Sequence, residues 1–196
     1  FTRLGRLEQR RVRRRTPDRV AEPARCGAQR AADMRPGDPR LVRDLAAAAR
    51  GHLVTMTVAP EVEGVADSDD DVLRALVETG ALPSVGHTDG SAEQTEAAVR
   101  RSVALLATTP GARSARPTAT HLWNAMRPAH HRDPGPVTAC LAAAGRGELV
   151  VELVADGTHL APATVRAALD LVGPDAVALV TDATAATGMA DGDYPL

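Results

Sequence analysis

Five short apolar runs recur along this chain at intervals of about 30 residues, the length of one strand-plus-helix unit. They cover 54–59, 82–86, 117–120, 149–155 and 176–181. Each is bounded by Gly, Pro or polar residues, so each reads as a buried strand. Amphipathic stretches alternate with them and predict helices over 39–50, 69–79, 92–107, 137–144 and 162–172. Ser91 with Gln94 three residues later is a capping-box pattern. Pro162 suits a first helical position, and Gly173-Pro174 suits a stop. Alternating strands and helices of this size demand parallel strands with crossover helices. No dinucleotide glycine fingerprint and no Walker A loop is present. A TIM-type (β/α)8 barrel is therefore expected over a doubly wound nucleotide-binding sheet. At 196 residues the chain holds about five βα units, where a complete barrel needs about 250 residues.

The N-terminal stretch stands outside this rhythm. Residues 1–50 carry fourteen Arg against six acids, while 51–196 carry nine Arg against nineteen acids. Residues 1–22 contain Arg10, Arg11 and the run Arg13-Arg14-Arg15 with no apolar face. They are expected to be disordered or non-native, leaving 23–196 as a partial barrel domain. No aromatic residue interleaves with these arginines, so base stacking has no support and nucleic acid is not an expected partner. Cys26 and Cys140 have no metal-ligand spacing and read as reduced thiols. There is no apolar run long enough to cross a membrane and no apolar leader segment, so the expected location is the cytoplasm.

The chemistry lies where the strands stop. The second predicted strand ends in His87, the third in His121 and the fifth in Asp182, while Asp156 and His159 lie just beyond the fourth. In a parallel barrel these points meet at the C-terminal mouth, where active sites are built. Imidazoles and a carboxylate converging there suit a divalent metal that activates water. One such residue alone is a common cap or turn residue; four at successive strand ends are not. His52 begins a strand and has no assigned role, and His130 and His131 lie in a loop.

The words around these residues resemble a known family. Gly86-His-Thr-Asp89, Thr120-His-Leu-Trp-Asn-Ala-Met126, His131-Arg-Asp-Pro-Gly135, Ala155-Asp-Gly-Thr-His159 and Val180-Thr-Asp-Ala183 resemble, in order and spacing, the motifs of N-acetylglucosamine-6-phosphate deacetylases. Thr57-Val-Ala-Pro-Glu61 resembles their TLAPE word. The resemblance implies a metal-dependent amidohydrolase that releases acetate from N-acetylglucosamine 6-phosphate. It makes His87 and His121 metal ligands and Asp182 the catalytic carboxylate. It gives Ala28, Gln29, Asn124, Ala125, Arg132 and His159 to the sugar phosphate. It implies a divalent ion (Zn, Fe, Co or Mn), an amino-sugar phosphate as substrate, and a homodimer in which Arg132 reaches across the interface.

The family's glutamate ligand, in an EGP word, has no match upstream of Ala28-Gln29. Glu61 matches the TLAPE glutamate, which in the family is not the metal ligand. The chain as written is therefore expected to be a truncated copy with impaired activity. Two alternatives stand beside this reading: an inactive fragment, and another amidohydrolase such as a dihydroorotase-like enzyme. The latter use an HxH pair after the first strand, which this chain lacks.

Overall fold

The computed structural model describes residues 36–183 and 187–190. The five strands form one sheet in the order β1-β2-β3-β4-β5, every pair parallel. They are β1 (Thr55–Val58), β2 (Leu82–Val85), β3 (Thr118–Ala119), β4 (Val150–Val154) and β5 (Val177–Val180). Helix α1 (Pro39–Ala49) precedes β1, and α2 (Val72–Glu78), α3 (Ala92–Thr108), α4 (Gly135–Gly145) and α5 (Pro162–Val172) are the four crossovers. A doubly wound sheet would reverse its strand order at a switch point. Here spatial order equals chain order and successive helices pack side by side, the winding of a barrel segment.

Each expected strand is present but shorter, and each expected helix is present within three residues at either end. The physical causes are local. The predicted helix over 69–79 begins only at Val72 because the buried Asp71 carboxylate caps it, accepting from Arg74 N. Asp71 also faces the guanidinium of Arg101 at 2.6 Å. Asp38 caps α1 in the same way, accepting from the amides of Arg40 and Leu41. The capping box of Ser91 and Gln94 is formed in both directions. β3 is only two residues long because Pro117 has no N–H to give the ladder and His121 has already left extended backbone, with φ 29°.

Burial follows strand alternation. Val58, Val85, Ala119, Val151 and Leu153 face the helices and form the core with residues such as Leu73, Leu76, Val99, Leu122 and Cys140. The opposite face of β1 to β3 is hydroxylic. Thr57, Ser84, Thr118 and Thr120 form a chain of hydroxyl contacts across three strands at 2.6–2.9 Å. At the β5 side Leu171 and Leu179 are both 69% exposed, apolar surface that a further barrel unit would cover.

Candidate active site at the C-terminal ends of the strands

Three turns carry the polar groups. β2 runs through Gly86 into His87, β3 through Thr120 into His121, and β5 through Thr181 into Asp182. All three residues adopt left-handed backbone, φ 48°, 29° and 49°. Trp123 (φ 75°) and Ala125 (φ 51°) do the same in the turn after His121. Non-glycine residues rarely sit there, and each such residue costs about 1–2 kcal/mol. The strain is concentrated where the strands meet the site. Among the described residues, the other non-glycine positive φ is the helix end at Arg50.

The strain brings two imidazoles together. His87 Nε2 and His121 Nε2 lie 2.9 Å apart, with ring planes at 63°. His121 is buried and its Nδ1 has no partner. Burial lowers the His87 pKa, the neighbouring His121 lowers it further, and the carboxylate of Asp182 opposes both. Asp182, on the loop after β5, is the charged group that acts upward on His87. Two nitrogens bound to one divalent ion at about 2.0–2.1 Å each would sit roughly 2.9–3.4 Å apart. The pair therefore fits two positions of a metal's shell, and the downward shift of the His87 pKa favours the neutral, ligating form of its ring. Among the described residues no third His, Cys, Asp or Glu completes a cluster with them.

The remaining expected residues are placed as follows. Asn124 lies in the turn after β3, and its amide donates to the His121 carbonyl oxygen at 3.1 Å. Ala125 follows it in left-handed backbone. His159 is exposed, and its Nδ1 meets Asp156 Oδ2 at 2.7 Å. Asp156 also accepts from the backbone amides of Thr158 and His159, and these bonds hold its carboxyl down at about 2. Arg132 sits on an exposed loop, and its guanidinium makes no ion pair among the described residues. Ala28, Gln29 and the segment 1–22 lie outside the described residues.

Three polar side chains at the site had no role assigned from sequence. Glu61, just past β1, accepts from Thr88 Oγ1 and Asp89 N in the His87 loop. Arg127 joins that loop to the segment carrying Arg132, through Asp89 on one side and Asp133 on the other. Glu152 lies within β4, with a carboxylate oxygen 3.4 Å from His121 N. Glu152 was readable: a single acid inside the apolar run Val150–Val154 must point to the face opposite Val151 and Leu153.

A parallel sheet wound in chain order, with imidazoles and a carboxylate on its C-terminal loops, defines the barrel architecture of the amidohydrolases. Known proteins make the relationship specific. The N-acetylglucosamine-6-phosphate deacetylase of Bacillus subtilis (strain 168) is 35% identical over 172 residues, 88% of this chain and 38% of the relative. The protein of the same name from Homo sapiens is 36% identical over 144 residues, 72% of this chain and 31% of its own length. The crystal structure of the Mycobacterium smegmatis deacetylase superposes with a TM-score of 0.68 at 36% identity, covering 83% of this chain and 38% of that one. A variant of that protein in complex with N-acetyl-D-glucosamine-6-phosphate gives 0.70 at 37% identity, over 88% of this chain and 40% of that one. No family model matches the chain. The chain is a part-length relative of the N-acetylglucosamine-6-phosphate deacetylases.

Proposed function

We propose that this chain carries the histidine–carboxylate part of a deacetylase centre acting on N-acetylglucosamine 6-phosphate. The observation that carries the proposal is the convergence of His87 Nε2 and His121 Nε2 at 2.9 Å on adjacent strand ends. The two imidazoles would hold a divalent ion (Zn, Fe, Co or Mn), which when bound polarises the acetyl carbonyl and acidifies a water. Asp182 then takes the proton as water attacks and returns it to the departing amine, which leaves poorly unless protonated. Products are acetate and glucosamine 6-phosphate. The motif resemblance gives Ala28, Gln29, Asn124 and Ala125 to the sugar. His159, with its Nδ1 turned to Asp156, offers Nε2 to the substrate. Arg132, free of ion pairs among the described residues, offers a two-pronged donor to the phosphate.

Residues 1–22 are read as lying outside the barrel domain of 23–196. The working assembly is a homodimer in which Arg132 of one protomer serves the site of the other, and the working compartment is the cytoplasm. No helix among the described residues is long and apolar enough to cross a membrane. Because the sequence has no match for the EGP glutamate of the family upstream of Ala28-Gln29, the chain is expected to turn over slowly.

The test pairs binding with turnover. Zn²⁺ affinity is measured by chelator competition in the full chain, in H87A and in H121A, alongside acetate release from N-acetylglucosamine 6-phosphate. Both substitutions should weaken binding by about tenfold or more. Equal affinity in all three proteins removes the metal reading. Acetate release that is fast and insensitive to D182N removes the assigned base.

A further inference from the structure

Glu61 has no part in the reading above, yet it is the acidic side chain that grips the loop carrying His87. It lies just past β1, and both carboxylate oxygens are used. Oε2 accepts from Thr88 Oγ1 at 2.5 Å, and Oε1 accepts from Asp89 N at 2.8 Å. Thr88 is fully buried, and its Oγ1 in turn accepts from Gly90 N at 3.0 Å. A Cβ added to Gly90 would lie 3.0 Å from both Glu61 Oε2 and Thr88 Oγ1. The loop is therefore packed closely on the carboxylate, and a side chain at Gly90 would need the Glu61 or Thr88 side chain to give way. On its far side the same loop is held by Arg127, whose N–H donates to Thr88 O at 3.2 Å and whose guanidinium contacts Asp89.

The residue immediately before this double grip is His87, in left-handed backbone. A histidine relaxes out of that conformation unless the residues after it are fixed. The bonds of Glu61 to Thr88 and Asp89 fix them from one side, and those of Arg127 from the other. Each carboxylate oxygen accepts from the loop, so the contacts through which Glu61 acts on the site run through the loop.

We propose that Glu61 is a positioning residue: it holds the Thr88-Asp89 turn so that His87 keeps its left-handed conformation and meets His121. This rests on the reading of the two histidines as a metal-binding pair, but its test has a readout independent of metal. In the full chain, E61A removes both hydrogen bonds. E61Q keeps an acceptor for Asp89 N and places an amide donor against Thr88 Oγ1. T88V, nearly isosteric, removes only the hydroxyl link and serves where E61A folds poorly.

Zn²⁺ affinity should fall by about tenfold or more in E61A, fall measurably in T88V, and stay within about threefold of the parent in E61Q. Metal-free protein is followed by imidazole ¹⁵N signals of His87 and amide exchange at Asp89. E61A should shift the former and speed the latter while the signals of helix α4 stay in place. Unchanged His87 signals in a folded E61A overturn the proposal whether or not the parent binds Zn²⁺. So does an E61Q loss equal to that of E61A with T88V unaffected, because charge rather than hydrogen bonding would then be what the site needs. A parent chain that binds no Zn²⁺, with His87 signals still shifted by E61A, removes the metal reading and leaves the positioning intact.

Discussion

The turn into His87 can be probed at the residue before it. A Cβ on Gly86 would fall 2.8 Å from Thr120 Cβ, 2.9 Å from Thr57 Cγ2 and 3.2 Å from Thr120 Oγ1. Carbon pairs are at ease at about 3.5–4.0 Å, so both carbon contacts must open by more than half an ångström. Thr57 is exposed and can swing its methyl aside, at the loss of its hydroxyl contact with Thr120, worth about 1 kcal/mol. Thr120 Cβ cannot be rotated away, because it is fixed to the backbone of the neighbouring strand. β2 and β3 must part there, with an overpacking cost of about 1–3 kcal/mol. Gly86→Ala should therefore destabilise the chain by about 2 kcal/mol, which at a urea dependence of about 2 kcal/mol per molar lowers the unfolding midpoint by about 1 M. The control is Gly145→Ala, where the nearest atom is a carbonyl oxygen at 3.8 Å. It lies in the last turn of α4 and should be neutral or stabilising by up to about 1 kcal/mol. Adding T57S to G86A removes one of the two carbon contacts and should recover part of the loss. A G86A midpoint within about 0.25 M of the parent would refute the steric argument.

Asp71→Ala removes the cap of α2 and leaves Arg101 without its partner; about 3 kcal/mol of stability should be lost in urea unfolding, and Asp71→Asn, which keeps a capping oxygen, should lose less. Cys140 is fully buried and burial pushes its thiol up to about 12, so iodoacetamide at pH 8 should modify it only in denaturant. Because that thiol is harder to ionise folded than unfolded, its effect on stability is absent at neutral pH and appears as a loss only above about pH 9. Asp156, held at about 2 by the amides of His159 and Thr158 and by the His159 ring, should remain ionised by ¹³C NMR at pH 3. Its contribution to the turn should vanish only as pH falls through that value, and D156N should change the His159 tautomer signals while the fold persists. Ala125→Gly, at φ 51°, should be stabilising or neutral in spite of glycine's entropy cost, because it relieves left-handed strain of about 1–2 kcal/mol.

The sheet was legible because its strands are apolar runs of the right length at the right interval. Val151 and Leu153 had nowhere to go but a core. The site was legible in part for the same reason: His87, His121 and Asp182 are where an apolar run breaks into a polar residue, and such breaks in parallel strands fall at one end of the sheet. The ends of the elements were not legible. The strand expected over 117–120 contracts to Thr118–Ala119, and the helix expected from 69 starts at Val72. In both places a single group decides, the missing N–H of Pro117 or the carboxylate of Asp71, and neither alters the hydrophobic pattern. The 3-10 turn Pro174–Ala176 before β5 was read only as a helix stop, since three residues carry no periodicity.

What periodicity could not disclose is how the site is kept in a conformation its residues resist. Left-handed backbone in a polypeptide is ordinarily the place for glycine, and the chain uses glycine there at nine described positions. At the strand ends it uses His, His, Trp, Ala and Asp instead. A glycine at 87 or 121 would relax the turn but supply no imidazole, so the side chain and the strain come together. The compensation is hydrogen bonding to these turns from the residues around them. Glu61 and Arg127 grip the turn after β2 from either side, and Asn124 closes the turn after β3 onto the His121 carbonyl. Glu61 and Arg127 need touch no substrate for the site to depend on them. Reading words finds the residues that match a family's motifs, Glu61 and Asn124 among them, but not which of those residues hold the others in place.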